Sequence, residues 1–241
     1  MRNFSEKGTP IYYHIQFYIF SKINETHRKN SVSNGVVPDW KYTQQRHHIP
    51  EDLRKTHHIR IANKNPDIPP KTDFLHASDL ITFIKTKGDF DIAGACYPEG
   101  HPDSDSLVDD IINLRKKVEA GADHLITQLF FDNEYFYDFR EKAAIAGINV
   151  PIEAGIMPVV NKNQIERMVT TCGASLPKKF VKIMQKYEHN PEALRDAGIA
   201  YAVNQIVDLV ANGVDGIHLY TMNNPYVAQK ITEAVSGVIS V

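Results

Sequence analysis

The densest chemistry in the chain is Tyr97 and His101, within "YPEGHP" (97–102), directly after the apolar run "DFDIAGAC" (89–96). A phenol, an imidazole and two prolines on one connection exceed what a simple turn requires. In parallel α/β architectures, ligands bind at the carboxyl ends of the strands, and functional side chains sit just past those ends. Three further strand-like runs carry similar polar or aromatic residues. Gln128 lies within "HLITQLFFD" (124–132), Gln164 closes "GIMPVVNKNQ" (155–164), and Tyr220 sits in "HLYTMNN" (218–224). A glutamine inside an apolar run needs a hydrogen-bond partner. Each residue alone is ordinary loop chemistry. Together the four strand ends predict one shared binding site.

The elements that must hold them follow a regular alternation. Three times a helix-like stretch ends near glycine and a strand follows at once, in "EAGADHLITQLFFD", "IAGINVPIEAGIMPV" and "ANGVDGIHLYTMN". Gly121, Gly147 and Gly213 stand where the chain leaves a helix in a left-handed turn, which glycine makes without a Cβ clash. The strands between are near-continuous apolar runs, as in a parallel sheet buried on both faces. This alternation means α/β, as a barrel or as an open doubly wound sheet. The helix after "YPEGHP" has an apolar stripe of Leu107, Ile111, Leu114 and Val118, with N-cap candidates in Asp103–Ser106. Asp110, Asn113 and Lys117 form a polar stripe beside it, which pattern alone reads as a solvated flank.

The totals exclude some classes. Across 241 residues, hydrophobic content of 42% and charged content of 23% are those of a soluble globular protein. A net charge of −2 lacks the basic surplus of a nucleic-acid binder. Two cysteines, Cys96 and Cys172, form neither a disulfide framework nor a zinc site, so the expected setting is a reducing cytoplasm. No apolar run reaches the ~18–20 residues of a membrane helix. "PIYYHIQFYIF" (10–20) is interrupted by His14 and Gln16 and lacks a signal peptide's basic flank, so it reads as a strand. Residues 1–73 otherwise lack a sustained period and form a region apart from the patterned 74–241, with one short strand expected at 58–62. His47, His48, His57 and His58 lack the spacing of a zinc site, and no metal is expected.

The motifs "HASDLI" (76–81), "YPEGHP" (97–102), "EAGAD" (119–123), "ITQLFFD" (126–132), "GIMPV" (155–159) and "HLYTMN" (218–223) occur together in one order. In that order and spacing, over about residues 74–235, the chain resembles the methylenetetrahydrofolate reductase family. The resemblance implies a TIM (β/α)8 barrel that holds FAD and reduces 5,10-methylenetetrahydrofolate to 5-methyltetrahydrofolate. The reductant would be NADH or NADPH, within one-carbon metabolism and methionine biosynthesis. It implies cofactor-binding roles for Ala77, Tyr97, His101, Asp110, Asn113 and Lys117, so the polar stripe would face FAD. It gives Gln128 a catalytic and folate-contacting role, Gln164 a folate contact, and Tyr220 a place at the same mouth.

The chain also departs from that pattern. The family's acid is a glutamate on the first barrel strand, and His14 stands there instead. The family's aspartate near the flavin corresponds to Asp67 in "NKNPD", and a folate-contacting arginine is replaced by Asn224. An eight-unit barrel takes ~250 residues, and the patterned part supplies four units. The expected architecture is therefore a barrel incomplete or diverged in its N-terminal half, whose open strand edges favour a homo-oligomer. The alternative is a non-catalytic relative that binds FAD or folate weakly, or pairs with another subunit. A flavin-free barrel lyase would need a Schiff-base lysine or a metal site at a strand end, and the well-defined strands offer neither.

Overall fold

The computed structural model describes residues 12–14 as a backbone strand, then 74, 76–161, 163–165 and 172–239. Asp67, the histidine pairs at 47–48 and 57–58, and the strand expected at 58–62 lie outside the described residues. In chain order the elements are β1 (Tyr12–His14), α1 (Ala77–Lys85), β2 (Ala93–Cys96), α2 (Leu107–Glu119), β3 (His124–Thr127) and α3 (Asn133–Ile145). There follow β4 (Ile152–Ile156), α4 (Lys178–Tyr187), α5 (Pro191–Ala211), β5 (Gly216–Leu219) and α6 (Pro225–Ile239).

Local chemistry sets these boundaries. Ser106 caps α2 by accepting from Asp109 N at 3.1 Å, and Asn190 caps α5 by accepting from Ala193 N at 3.1 Å. Gly121, Gly147 and Gly213 have φ of 113°, 79° and 69° and turn the chain from α2, α3 and α5 towards the next strand.

All strand pairs are parallel, in the order β1-β5-β4-β3-β2. From β2 to β5 each strand lies beside its predecessor, so every crossover steps in one direction. A doubly wound sheet would reverse. β1 pairs with β5, through Tyr12↔Gly216 and His14↔His218, which is the first-to-last pairing that closes a β/α barrel. The described strands are thus an arc of a barrel, with β1 and β2 at its ends.

Two clusters fill the structure. On the outer face Leu125, Ile152, Ala154, Ile156, Ile217 and Leu219 lie beneath α2, α3, α5 and α6, with Phe136, Phe139, Leu209 and Ile231. Past the strand ends, Leu129, Phe131, Met157 and Val159 pack with Phe180 and Met184 of α4. Strand alternation turns the other residues to the inner face: Ala93, Ala95, Ile126, Glu153, Gly155, Gly216 and His218. The sequence reading of strands buried on both faces holds for β4, β5 and all of β3 but the half-buried His124, whereas in β2 Ala93 and Ala95 are exposed. β2 is the end of the arc, and its inner face borders the open side. Among the described residues no helix is long and apolar enough to cross a membrane.

Candidate functional site

The sheet register gathers the sequence candidates into one layer. Cys96 pairs with Thr127, so the next residues, Tyr97 and Gln128, stand side by side. Ile126 pairs with Glu153, so Gln128 is level with Gly155 two residues on. Gly155 pairs with His218, and His218 with His14. A single layer therefore runs Tyr97, Gln128, Gly155, His218, His14 across five strands at their carboxyl side.

A cleft of about 80 Å³ runs along the inner face of β2 and β3 up to this layer, lined by Ala93, Gly94, Ala95, Tyr97, Ile126, Gln128 and Tyr220. Pockets that enclose a small molecule measure ~300–1,000 Å³, so these residues alone would contact only part of one. A smaller depression shares Tyr97 and Gln128 and continues to Pro98, Glu99, Gly100, Leu129, Cys172 and Ala174. There the Glu99 carboxylate accepts from Ser175 N at 3.2 and 3.0 Å, tying the connection after β2 to the segment before α4.

The connection "YPEGHP" is built as a folded rim. Gly100, at φ 87°, donates its N–H to Tyr97 O at 3.0 Å. The Tyr97 and His101 rings meet edge-on with centroids 4.5 Å apart, and His101 Nδ1 accepts from Asp103 N at 3.0 Å. Burial, reinforced by Asp110, pushes the Tyr97 phenol above its ordinary range. Asp110 is only 8% exposed and holds this rim from below. Its carboxylate accepts from His101 N at 3.2 Å and from Ser104 Oγ at 3.3 Å.

The rest of the polar stripe does not line the cleft. Lys117 Nζ donates to Ala95 O at 2.7 Å. The carbonyls of Ile92 and Cys96 accept from β3 and its approach, so the Ala95 carbonyl points to the opposite edge of β2. Lys117 thus caps the end of the arc. Burial draws its ammonium below the usual lysine range, partly opposed by Cys96 and Asp110. Asn113 is exposed and accepts from Lys116 Nζ at 3.1 Å. Ala77 is the first residue of α1, outside the cleft lining.

The remaining candidates are placed as follows. Gln128 lies one residue past β3 and not within it. Its N–H extends the ladder to Cys96 O at 2.7 Å, and its Oε1 accepts from Leu129 N at 3.0 Å. Tyr220 donates its hydroxyl to Thr127 O at 2.8 Å. Gln164 Oε1 accepts from Val160 N at 2.8 Å and Asn161 N at 3.2 Å, tying off the segment after β4 outside the cleft lining. His14 is placed by register alone.

Thr127, Gly155 and His218 belong to the site and were missed in the sequence. A glycine within an apolar strand run was the available signal, because it marks a close approach. Below the layer, His124 stands 3.7 Å from the buried Glu153 carboxylate and 3.5 Å from Asp91. Both cysteines are free; Cys96 is buried, which drives its thiol far above the ordinary range, and Cys172 is half-buried and also raised by burial. Among the described residues no group of three or more His, Cys, Asp or Glu could hold a metal ion.

The family model of methylenetetrahydrofolate reductase matches residues 60–236. A 5,10-methylenetetrahydrofolate reductase of Pectobacterium carotovorum is 36% identical over 167 residues, which are 69% of this chain and 56% of that protein. Methylenetetrahydrofolate reductase (NADH) 1 of Arabidopsis thaliana is 38% identical over 161 residues, covering 62% of this chain and 27% of the plant protein. The chain spans about half the length of the bacterial relatives it matches. Among solved structures, an uncharacterized protein from Clostridium thermocellum that binds two copies of 5-methyl-5,6,7,8-tetrahydrofolic acid aligns with a TM-score of 0.50 at 18% identity. That alignment covers 70% of this chain and 62% of the other, and it is a likeness of fold.

Proposed function

The chain belongs to the methylenetetrahydrofolate reductase family, and from that premise we propose that it binds FAD and reduces 5,10-methylenetetrahydrofolate to 5-methyltetrahydrofolate with NADH or NADPH. The reaction would serve one-carbon metabolism and methionine biosynthesis, in a cytoplasmic homo-oligomer. The observation that carries this reading is one cleft on the inner face of the arc that Tyr97, Gln128 and Tyr220 line from the carboxyl ends of β2, β3 and β5. A flat ring needs a floor free of projecting side chains and a polar group at its rim. Ala93, Gly94 and Ala95 meet the first need and the Gln128 carboxamide the second.

When bound, FAD supplies the hydride chemistry. The chain's own residues hold, orient and protonate. Tyr97 and His101 form the rim against the ring system. Ala77, Asp110, Asn113 and Lys117 are assigned to the rest of the cofactor, with Lys117 available to a phosphate in exchange for its bond to Ala95 O. Gln128, Gln164 and Tyr220 are assigned to the substrate. Opening the folate's five-membered ring requires a proton at the departing nitrogen. A carboxamide cannot supply one, so the acid role falls to His14, level with His218 in the register, and Asp67 takes the place of the family's aspartate near the flavin.

A second reading, a relative that binds FAD or folate weakly without turnover or pairs with another subunit, is favoured by His14 in place of the expected glutamate and Asn224 in place of the expected arginine. One experiment separates them. The purified chain is mixed with FAD, passed through gel filtration and scanned in the visible range. It is then reduced anaerobically with NADH and reoxidised with methylenetetrahydrofolate. Retained flavin with both half-reactions supports the enzyme. Retained flavin without reoxidation supports the second reading, and a colourless protein sinks the first.

A further inference from the structure

We propose that Tyr220 is an aromatic platform for a flat, conjugated nitrogen heterocycle, and that Thr127, Gly155 and His218 position it. This rests on reading the cleft as the FAD and folate site. β3 and β4 are paired at Leu125↔Ile152 and Ile126↔Glu153, and past that point the ladder is not continued. Gly155 N donates to Thr127 Oγ1 at 2.8 Å, and Thr127 O accepts the Tyr220 hydroxyl at 2.8 Å. One fully buried threonine thus satisfies both strands.

Tyr220 leaves the end of β5, and its hydroxyl ends on β3. Its ring must therefore cross β4, and it crosses at Gly155, where a Cβ would stand 2.7 Å from Tyr220 Cε2 and 2.2 Å from Thr127 O. Only glycine admits the ring. The ring passes close against the Gly155 backbone, and Tyr220 also lines the cleft. His218, one pleat earlier on β5 and fully buried, packs against it with centroids 4.7 Å apart and planes at 67°. That contact blocks tilting towards the amino ends of the strands. With the hydroxyl committed to Thr127, Tyr220 offers a ligand its ring and not a hydrogen bond. An aromatic ring held in place favours stacking of another flat ring.

The test titrates FAD and, separately, 5-methyltetrahydrofolate into the full chain and its variants, each checked for native circular dichroism. Tyr220→Leu should weaken one of the two ligands about tenfold, and Tyr220→Phe, which keeps the ring, only about twofold. If FAD is the affected ligand, its fluorescence should be quenched on binding to wild type and Tyr220→Phe and less so in Tyr220→Leu. Loss confined to FAD assigns the platform to the flavin ring, and loss confined to the folate assigns it to the pterin. His218→Ala should weaken the same ligand about threefold, with His218→Phe restoring it. A folded Tyr220→Leu that binds both ligands as wild type overturns the platform and leaves the proposed function standing. Tyr220→Phe as damaging as Tyr220→Leu also overturns it, because the hydroxyl would then be the contact. Wild type that takes up neither ligand overturns both readings.

Discussion

Gly198→Ala tests the packing that holds the site's support in place. Gly198 sits within α5, where a Cβ would stand 1.7 Å from Val159 O and 2.7 Å from Val159 C. A carbon–oxygen contact settles near ~3.3 Å, so helix and chain would have to separate by about 1.6 Å. The obstructing atoms are backbone, and Val159 is 1% exposed, so no side chain can rotate away. A gap of only ~0.5–1 Å already forfeits a quarter to a half of a dispersion contact. Alanine gains ~1 kcal/mol of helix propensity over glycine. Overpacking costs ~1–3 kcal/mol where side chains can adjust and more where they cannot, so the net loss should be about 3 kcal/mol. In urea, with a slope of ~2 kcal/mol/M, the midpoint should fall by ~1.5 M at unchanged slope. Gly237→Ala in α6, with nothing within 4 Å of the added carbon, is the matched control and should gain ~0.5–1 kcal/mol. Because α5 also donates from Tyr201 to Phe131 O at 2.6 Å and from Gln205 to Phe130 O at 3.3 Å, the Gly198 variant should also loosen the segment that follows Gln128. A Gly198→Ala midpoint equal to or above wild type would refute the close approach and the reasoning with it.

Asp110→Ala removes the acceptor of a half-buried loop N–H, so it should cost ~1–2 kcal/mol in denaturation and also reduce FAD retention. Lys117→Ala should reduce FAD retention at unchanged helicity; equal retention would count against its assignment. Acid stability provides a third check through Asp123. Burial pulls its carboxyl up, but the Lys85 ammonium and the Ile92 N–H, each at 2.8 Å, prevail and hold it below the usual carboxylate range. A depressed carboxyl stabilises above its unfolded value of ~3.9, and that contribution is lost as pH falls through the folded value. Asp123→Asn should therefore flatten the stability profile below about pH 4, and an unchanged profile there would contradict the pairing. A thiol reagent at neutral pH should label Cys172 slowly and Cys96 only on unfolding, since both thiols are raised and Cys96 is 1% exposed.

What the sequence made legible was what local chemistry decides. The Gly121, Gly147 and Gly213 turns, the Ser106 cap and the apolar stripe of α2 all depend on residues within a few positions of one another. The strand-end placement of Tyr97 and Tyr220 followed from the alternation itself. The contribution of Gly155 was not legible, because its need for glycine arises from a tyrosine 65 positions later whose hydroxyl bonds a strand 28 positions earlier. The polar stripe was legible only in part for a related reason. Helical spacing correctly put Asp110, Asn113 and Lys117 on one side of α2, but it could not show that Asp110 would close the rim and Lys117 the edge of β2.

This division bears on where ligand affinity would arise. Asp110, Lys117 and Gln164 already hold internal hydrogen bonds at 3.2, 2.7 and 2.8 Å. For any of them, contact with a ligand exchanges one bond for another, and such exchanges leave only ~0.5–1.5 kcal/mol each. A rigid ring face carries no such exchange. Tyr220 is held by its hydroxyl, by the Gly155 backbone and by His218, so stacking on it needs no bond to be broken and no side chain to be ordered. Affinity for a flat ring should therefore depend more steeply on the layer than on the stripe. Under the proposed function, a flavin lacking its nucleotide portion should keep most of the ring's binding energy, and losing Lys117 should matter only to the phosphate-bearing forms. Titrating riboflavin, FMN and FAD into wild type and Lys117→Ala measures this directly. Equal loss of riboflavin and FAD on removing Lys117 would mean that the ammonium acts through the Ala95 carbonyl and the shape of β2, and not through a phosphate.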